Sequence, residues 1–234
     1  MRIAAVADLH CSAESARELK SLFYEAGQEA ELLVLAGDLT NMGRVEEMQI
    51  LLEMLRSVRV PIVAVAGNHD HESDQLDTLV AMMTESGIHV LDGSTCEVKG
   101  VGFVGTKGFC GGFGNLAVQP FGEQALKHFI RSSIDEAAHL ENAITKMPTR
   151  PLVAVLHYAP IKQTLEGESP ELFAFLGSSL LAAALDRHDV DLILHGHAHN
   201  GSLEGRTEGG IPVHNVCRFV QKRFTKRPYA LIDI

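Results

Sequence analysis

The chain is poor in cysteine and shows no cysteine pairing pattern. Cys11, Cys96, Cys110 and Cys217 stand far apart, with no CxxC pair, so neither a zinc knuckle nor a disulfide framework is indicated. Reduced thiols of this kind suit a cytoplasmic protein. Basic residues are also in short supply. Lys and Arg number 20 against 30 Asp and Glu, a formal net charge of -10. No basic stripe offsets that balance, which argues against a nucleic-acid or membrane-surface binder. An anionic substrate stays open, because a metal centre supplies local positive charge. No apolar stretch is long enough to span a bilayer, and no basic-then-apolar leader precedes the first apolar run. A cytoplasmic location is therefore expected. There is no internal repeat, low-complexity tract or linker, so residues 1–234 are expected to form a single domain with a sizeable core.

What the chain does have is five short apolar runs that end abruptly in metal-ligand side chains. Residues 2–7 run into Asp8-Leu9-His10, and residues 32–36 into Gly37-Asp38. Residues 61–66 run into Gly67-Asn68-His69-Asp70, residues 152–156 into His157, and residues 191–194 into His195-Gly196-His197-Ala198-His199. Short unalternating apolar runs read as strands buried on both faces. Ligands of open α/β sheets gather past the carboxyl ends of such strands. Five strand ends carrying Asp, Asn and His to one edge point to a polynuclear metal site. In an extended chain Asp8 and His10 would share a face, as would His197 and His199.

Between these runs the spacing predicts helices over residues 12–27, 44–58, 73–86, 123–146 and 170–187, with Ser73 an N-cap candidate. Short strands are expected at residues 88–91, 95–99 and 101–106, the last two joined as a hairpin near Gly100. A glycine-rich stretch, residues 107–122, follows, and strands return at 211–216 and 228–234. Alternation, then hairpins, then alternation predicts an α/β fold (α+β by some schemes). Two packed sheets form its β-sandwich, with helices outside.

The ordered series Asp-x-His, Gly-Asp, Gly-Asn-His-Asp, lone His and Gly-His-x-His, from Asp8 to His199, resembles the calcineurin-like metallophosphoesterase superfamily. The small bacterial-type phosphodiesterases are the nearest likeness in motif style. The resemblance implies an αββα sandwich in which Asp8, His10 and His199 hold one ion and Asn68, His157 and His197 the other. Asp38 would bridge the two. Mixed nitrogen and oxygen ligands without thiolate favour Mn, Fe, Zn, Co or Ni over Mg or Ca without choosing among them; two ions are expected, with Mn or Fe favoured. Two such ions activate a bridging water, as hydroxide, for in-line attack at phosphorus. By resemblance, His69 stabilises the transferring phosphoryl group and protonates the leaving group.

One departure narrows the reading. In the protein Ser/Thr phosphatase branch the second motif reads Gly-Asp-x-x-Asp-Arg-Gly, whereas here it reads Gly37-Asp38-Leu39-Thr40-Asn41-Met42-Gly43. Asn41 stands in place of a carboxylate that would orient the catalytic His, and Met42 in place of an arginine that would grip phosphate. The expected activity is hydrolysis of a small anionic phosphate ester, a phosphodiester in preference to a phosphoprotein. The alternatives are a metabolite phosphomonoesterase and a non-catalytic metal-binding scaffold of the same fold. No membrane or nucleic-acid partner is expected, and a homo-oligomer is compatible with the sequence but not required by it.

Other polar residues read as structural. Asp70 suits a helix N-cap or a partner of a ligand histidine, and His195 suits packing at its strand end. Cys11 reads as a buried thiol. His71 and Asn200 read as surface residues ahead of substrate contacts, Tyr158 equally as a substrate contact or a packing residue, and His89, His128, His139, His188 and His214 as ordinary. The glycine-rich stretch is expected to form a rim, with Phe109 and Phe113 against the non-phosphate part of the substrate.

Overall fold

The computed structural model describes residues 1–234. The apolar runs become strands β1 (Arg2–Val6), β2 (Leu32–Ala36) and β3 (Ile62–Val65), parallel to one another. β4 (His89–Val90) extends them in parallel, and the last strand, β11 (Ala230–Asp233), closes the other edge antiparallel to β1. The second sheet runs in the order β5 (Ser94–Val98), β6 (Val101–Thr106), β7 (Leu152–Leu156), β8 (Leu192–His195), β10 (Pro212–Asn215), β9 (Glu204–Arg206). Its four central strands are parallel and its two edges antiparallel.

Alternation along each strand explains the layering. Ile3, Ala5, Leu32, Val34, Val63 and Val65 of the first sheet meet Phe103, Val153, Val155, Leu192 and Leu194 of the second in one inter-sheet core. The outward residues Ala4, Val6, Leu33, Leu35 and Ala64 are covered by helices α1 (Ala16–Glu29), α2 (Val45–Leu55) and α3 (Leu76–Glu85). Leu19, Leu22, Phe23 and Ala26 form the buried stripe of α1 at helical spacing. On the far side α4 (Gln124–Ile144) and α6 (Ser179–Leu185) cover Val104, Ala154, Leu156 and Ile193. Strands buried on both faces cannot alternate polar with apolar, which is why these runs are continuous. The expected αββα sandwich is the one observed.

Three local expectations are corrected. The helix over residues 170–187 is broken. A short turn at Pro170–Leu172 leads into α5 (Phe173–Leu176), an extended Gly177, and then α6. Gly177 pairs with Ala159, and its carbonyl accepts from Gly112 N at 2.9 Å. A Cβ at residue 177 would collide with the Ala159 carbonyl, so the chain must open here to reach two neighbours at once. Ser73 is not a helix cap. Its hydroxyl donates to Met42 O at 2.6 Å, and α3 begins at Leu76. The tail also holds a helix that periodicity over so short a span did not reveal, α7 (Arg218–Thr225). Just before α7 a strap crosses both sheets. Val216 N donates to His195 O at 2.7 Å, Ala7 N to Val216 O at 2.9 Å and Arg218 N to Ala7 O at 3.1 Å. This strap joins the end of β1 to the end of β8.

Candidate metal centre

The ends of β1, β2, β3, β7 and β8 meet on one edge of the sandwich. Ligand atoms of Asp8, His10, Asp38 and His199 lie within 4.8 Å of one another, and so do those of Asp38, His157 and His197. Asp38 belongs to both groups. The Asn68 Oδ1 lies 3.0 Å from His157 Nε2, which brings the amide to the second group. All seven expected ligand residues therefore converge.

The backbone reaches this arrangement differently from the extended geometry expected of Asp8-Leu9-His10 and His197-Ala198-His199. Asp8, His10, Asp38 and His197 have φ of 59°, 44°, 50° and 68°. Left-handed backbone in a residue with a Cβ costs about 1–2 kcal/mol. It persists because a ladder continues past the strand ends: Asp8 N to Gly37 O, His10 N to Asp38 O and Cys11 N to Leu39 O, each at 3.0 Å. The turn so formed aims Asp8 and His10 inward while Leu9 stays in the helix-side core. Gly67 is needed for a different reason, since a Cβ there would strike Asp38 N and Oδ1.

Asp70 ties the loops after β2 and β3 together, a larger role than capping a helix. Its buried carboxylate accepts from Leu39 N at 3.1 Å, Thr40 N at 2.8 Å, the Thr40 hydroxyl at 2.6 Å and Gly67 N at 2.8 Å. Burial pushes its pKa up, against the pull of the Thr40 and Gly67 hydrogen bonds. Asp70→Ala would leave three buried N–H donors and a hydroxyl without their acceptor. We expect a loss of about 3 kcal/mol, a melting temperature lower by roughly 6–12 °C. Thermal unfolding of the metal-free variant measures it, and a shift under about 2 °C would show the carboxylate to be dispensable.

Electrostatics prepare the cluster for cations. Burial opposes ionisation of Asp8 and Asp38, but Asp8 is overcome by the His199 hydrogen bond and the His157 charge. At Asp38, His157 overcomes it by charge and hydrogen bond, so both carboxyls sit below their ordinary range. Desolvation drives His10 down to about 4 and His197 to about 3, leaving neutral imidazoles at pH ~7. His157 is pulled down by burial yet raised to about 9 by Asp38, 3.2 Å from its Nε2. His199, 3.2 Å from Asp8, is raised as well despite its own desolvation. In the chain alone, the proton that His157 keeps beside Asp38, with His199 shifted upward beside Asp8, offsets part of the charge of two buried carboxylates, and divalent ions would supply that charge in their place. His157 Nδ1–H donates to Ala36 O at 3.0 Å, which turns Nε2 toward Asp38 and Asn68 as the nitrogen that would ligate an ion in place of its proton. His197 Nε2 lies 3.4 Å from the Phe175 carbonyl, a donor position that leaves Nδ1 as its ligand atom. The donor set fits divalent transition ions.

His69 lies beside both groups and in neither. Its Nδ1–H donates to the Asn41 carbonyl at 2.7 Å, and its Nε2 stands 4.0 Å from Asp38 Oδ2. The Asn41 backbone thus supplies the orienting acceptor that its side chain lacks as a carboxylate. His195 is fully buried, 2.8 Å from Gly196 O and 2.8 Å from the Thr164 hydroxyl, and braces the turn that carries His197. Cys11 is a buried thiol raised to about 12 by desolvation, outside both groups. Tyr158 packs on the His197 ring at 4.4 Å between centroids. Phe109 does face the space beside Asn68, as a rim residue would. Phe113 instead packs inward with Ala159, Leu165 and Ala198, holding α5 in place. Sequence reasoning missed Phe219, the exposed second residue of α7, whose ring centroid is 5.0 Å from that of His199 and 6.4 Å from that of His10. Arg218 anchors it by donating Nε to Asp8 O at 3.1 Å.

The family profile described as calcineurin-like phosphoesterase matches residues 1–201, and the chain belongs to that family, which makes it a member of a class of hydrolases. A curated relative, the glycerophosphodiester phosphodiesterase GpdQ of Enterobacter lignolyticus (strain SCF1), is 33% identical over 57 residues. That stretch covers 24% of this chain and 20% of the relative. Among solved structures, TT1561 of Thermus thermophilus superposes with a TM-score of 0.59 and 13% identity, over 99% of this chain and 98% of its own. A hypothetical protein from the same organism gives 0.54 and 14%, over 100% and 88%. These likenesses concern the fold. No helix is long and apolar enough to cross a membrane.

Proposed function

We propose that this protein is a dinuclear metal-dependent phosphodiesterase. The observation that carries the reading is the sharing of Asp38 between two converging ligand groups. Asp8, His10 and His199 would hold one ion, Asn68, His157 and His197 the other, and Asp38 both. Bound ions would supply Lewis acidity, activation of water and neutralisation of phosphate charge. The chain's own residues do the rest. Buried Asp8, Asp38 and His157 fix the donor positions before substrate arrives. His69, tethered through Nδ1 to Asn41 and 40% exposed, presents Nε2 to the open side, where it can pass a proton to a departing alkoxide. Phe219 walls that side near His199.

The preference for a diester is supported by Met42, which offers no cationic grip for the extra charge of a monoester, and by the name of the short-range relative. After Mn²⁺ reconstitution the chain should cleave bis-p-nitrophenyl phosphate with kcat/KM at least about tenfold above p-nitrophenyl phosphate. Monoester preference would replace the diester reading with a metabolite phosphatase. Protein that carries two ions per chain and cleaves neither ester would overturn hydrolysis itself.

A further inference from the structure

A cavity of about 460 Å³ opens beside Asn68 and Tyr158, next to the second ligand group. One wall is the side of α4 that carries Ser132, Asp135, Glu136 and His139, spaced three and four apart on one helix face. The adjacent stripe of Ile130, Ala137, Leu140 and Ile144 carries the apolar packing of the helix. The opposite wall carries Lys107, which directly follows β6. Its side chain is only 14% exposed, its Nζ donates to Gly108 O at 2.8 Å, and it stands 3.8 Å from Glu136 Oε1. The Thr106 hydroxyl donates to the other oxygen of Glu136 and fixes that carboxylate. A charge pair set into a cavity costs desolvation that packing does not require.

The lining selects a class of ligand. Two carboxylates disfavour a second phosphate. The aromatic rings are poor platforms for a nucleobase, since Lys107 lies over both Phe109 and Tyr158, at 4.9 and 5.3 Å from their centroids. Phe109 also meets Phe129, and Tyr158 also meets His197. What remains is the Glu136 carboxylate, held by Thr106 and set against the largely enclosed Lys107, with the exposed Asp135 and Ser132 of the same helix face also lining the cavity. Hydroxyl groups donate to the first and accept from the second. We propose that this cavity is the subsite for one alcohol substituent of the phosphodiester, and that the substituent is a small polyol of the glyceryl kind. The inference rests on the phosphodiesterase reading for its orientation toward the metal centre.

The test pairs glyceryl p-nitrophenyl phosphate with propyl p-nitrophenyl phosphate, which differ only in two hydroxyls. The wild-type protein should prefer the glyceryl ester about tenfold or more in kcat/KM. Glu136→Gln and Asp135→Asn should each reduce that preference severalfold, with the loss concentrated on the glyceryl ester. No preference in the wild type, or equal losses on both esters in the two variants, would overturn the proposal and leave the phosphodiesterase reading standing. Saturation-transfer NMR of glycerol 3-phosphate on the Zn²⁺-loaded chain gives a readout without turnover. Transfer to the glyceryl protons, weakened in Glu136→Gln, supports the subsite even if neither ester is cleaved, in which case the phosphodiesterase reading alone falls. Absence of transfer in the wild type overturns the subsite.

Discussion

Asp38→Asn should lower metal-dependent diester hydrolysis about a thousandfold and leave the chain unable to retain two ions. Asp38 is the one side chain common to both ligand groups, and it is buried. Its Oδ1 lies 3.2 Å from His157 Nε2, and its Oδ2 lies 3.9 Å from His10 Nε2. The two oxygens thus face opposite groups. An amide keeps the shape, retains one oxygen acceptor and loses the charge. At an effective dielectric of about 20, one unit charge 4 Å from another is worth about 4 kcal/mol, which is roughly a thousandfold in rate. The fold should survive, because the remaining amide oxygen can still accept the His69 backbone N–H, 2.9 Å from Oδ1 in the wild type. Without the Asp38 charge, His157 also loses the main influence that raises its pKa, so the metal-free variant is not left with an uncompensated charge. Metal content by emission spectroscopy and kcat on bis-p-nitrophenyl phosphate read the two effects separately. Two tightly held ions with normal kcat would remove Asp38 from its bridging role.

The chemistry was legible in the sequence because it sits at strand ends, where one-dimensional order maps directly onto one edge of a sandwich. Asp8, Asp38, Asn68, His157 and His197 each follow a run buried on both faces, and parallel pairing of β1 with β2, of β2 with β3 and of β7 with β8 brings the runs to a common edge. The backbone that aims them was not legible. No propensity assigns φ of 59° to an aspartate. That value is set by hydrogen bonds between loops that tertiary structure alone brings together. Asp70 was hidden for the same reason, since its partners Leu39 and Thr40 lie some thirty residues away in the chain. The helix over 170–187 failed where Gly177 trades helical bonds for pairing with Ala159. Phe219 was hidden because α7 is two turns long, too short for periodicity to separate from the flanking strands. Its amphipathic pattern, with Val220 and Gln221 buried beside exposed Lys222 and Arg223, was the available signal.

His69→Ala should leave both ions bound and slow hydrolysis by roughly 10²–10³, with the loss growing as the leaving alcohol becomes more basic. The imidazole belongs to neither ligand group. Its contribution to Asp38 is made by the backbone N–H, which alanine keeps. What the variant removes is Nε2, aimed by the Nδ1–H bond to the Asn41 carbonyl and flanked by the His10 ring at 4.5 Å between centroids. A carbonyl orients an imidazole without adding the negative charge that a carboxylate would place behind it. That charge-free tether is why the expected loss lies at the lower end of general acid catalysis. For p-nitrophenolate, a good leaving group, protonation matters little and the variant should lose least. For an alkyl ester, whose alkoxide cannot depart unprotonated, the loss should be greatest. A series of aryl and alkyl methyl phosphates, plotted as log kcat against leaving-group pKa, measures this directly: the slope should steepen in the variant. An unchanged slope with a uniform loss would make His69 a phosphate-positioning residue instead, and a fall to one ion per chain would make it a ligand.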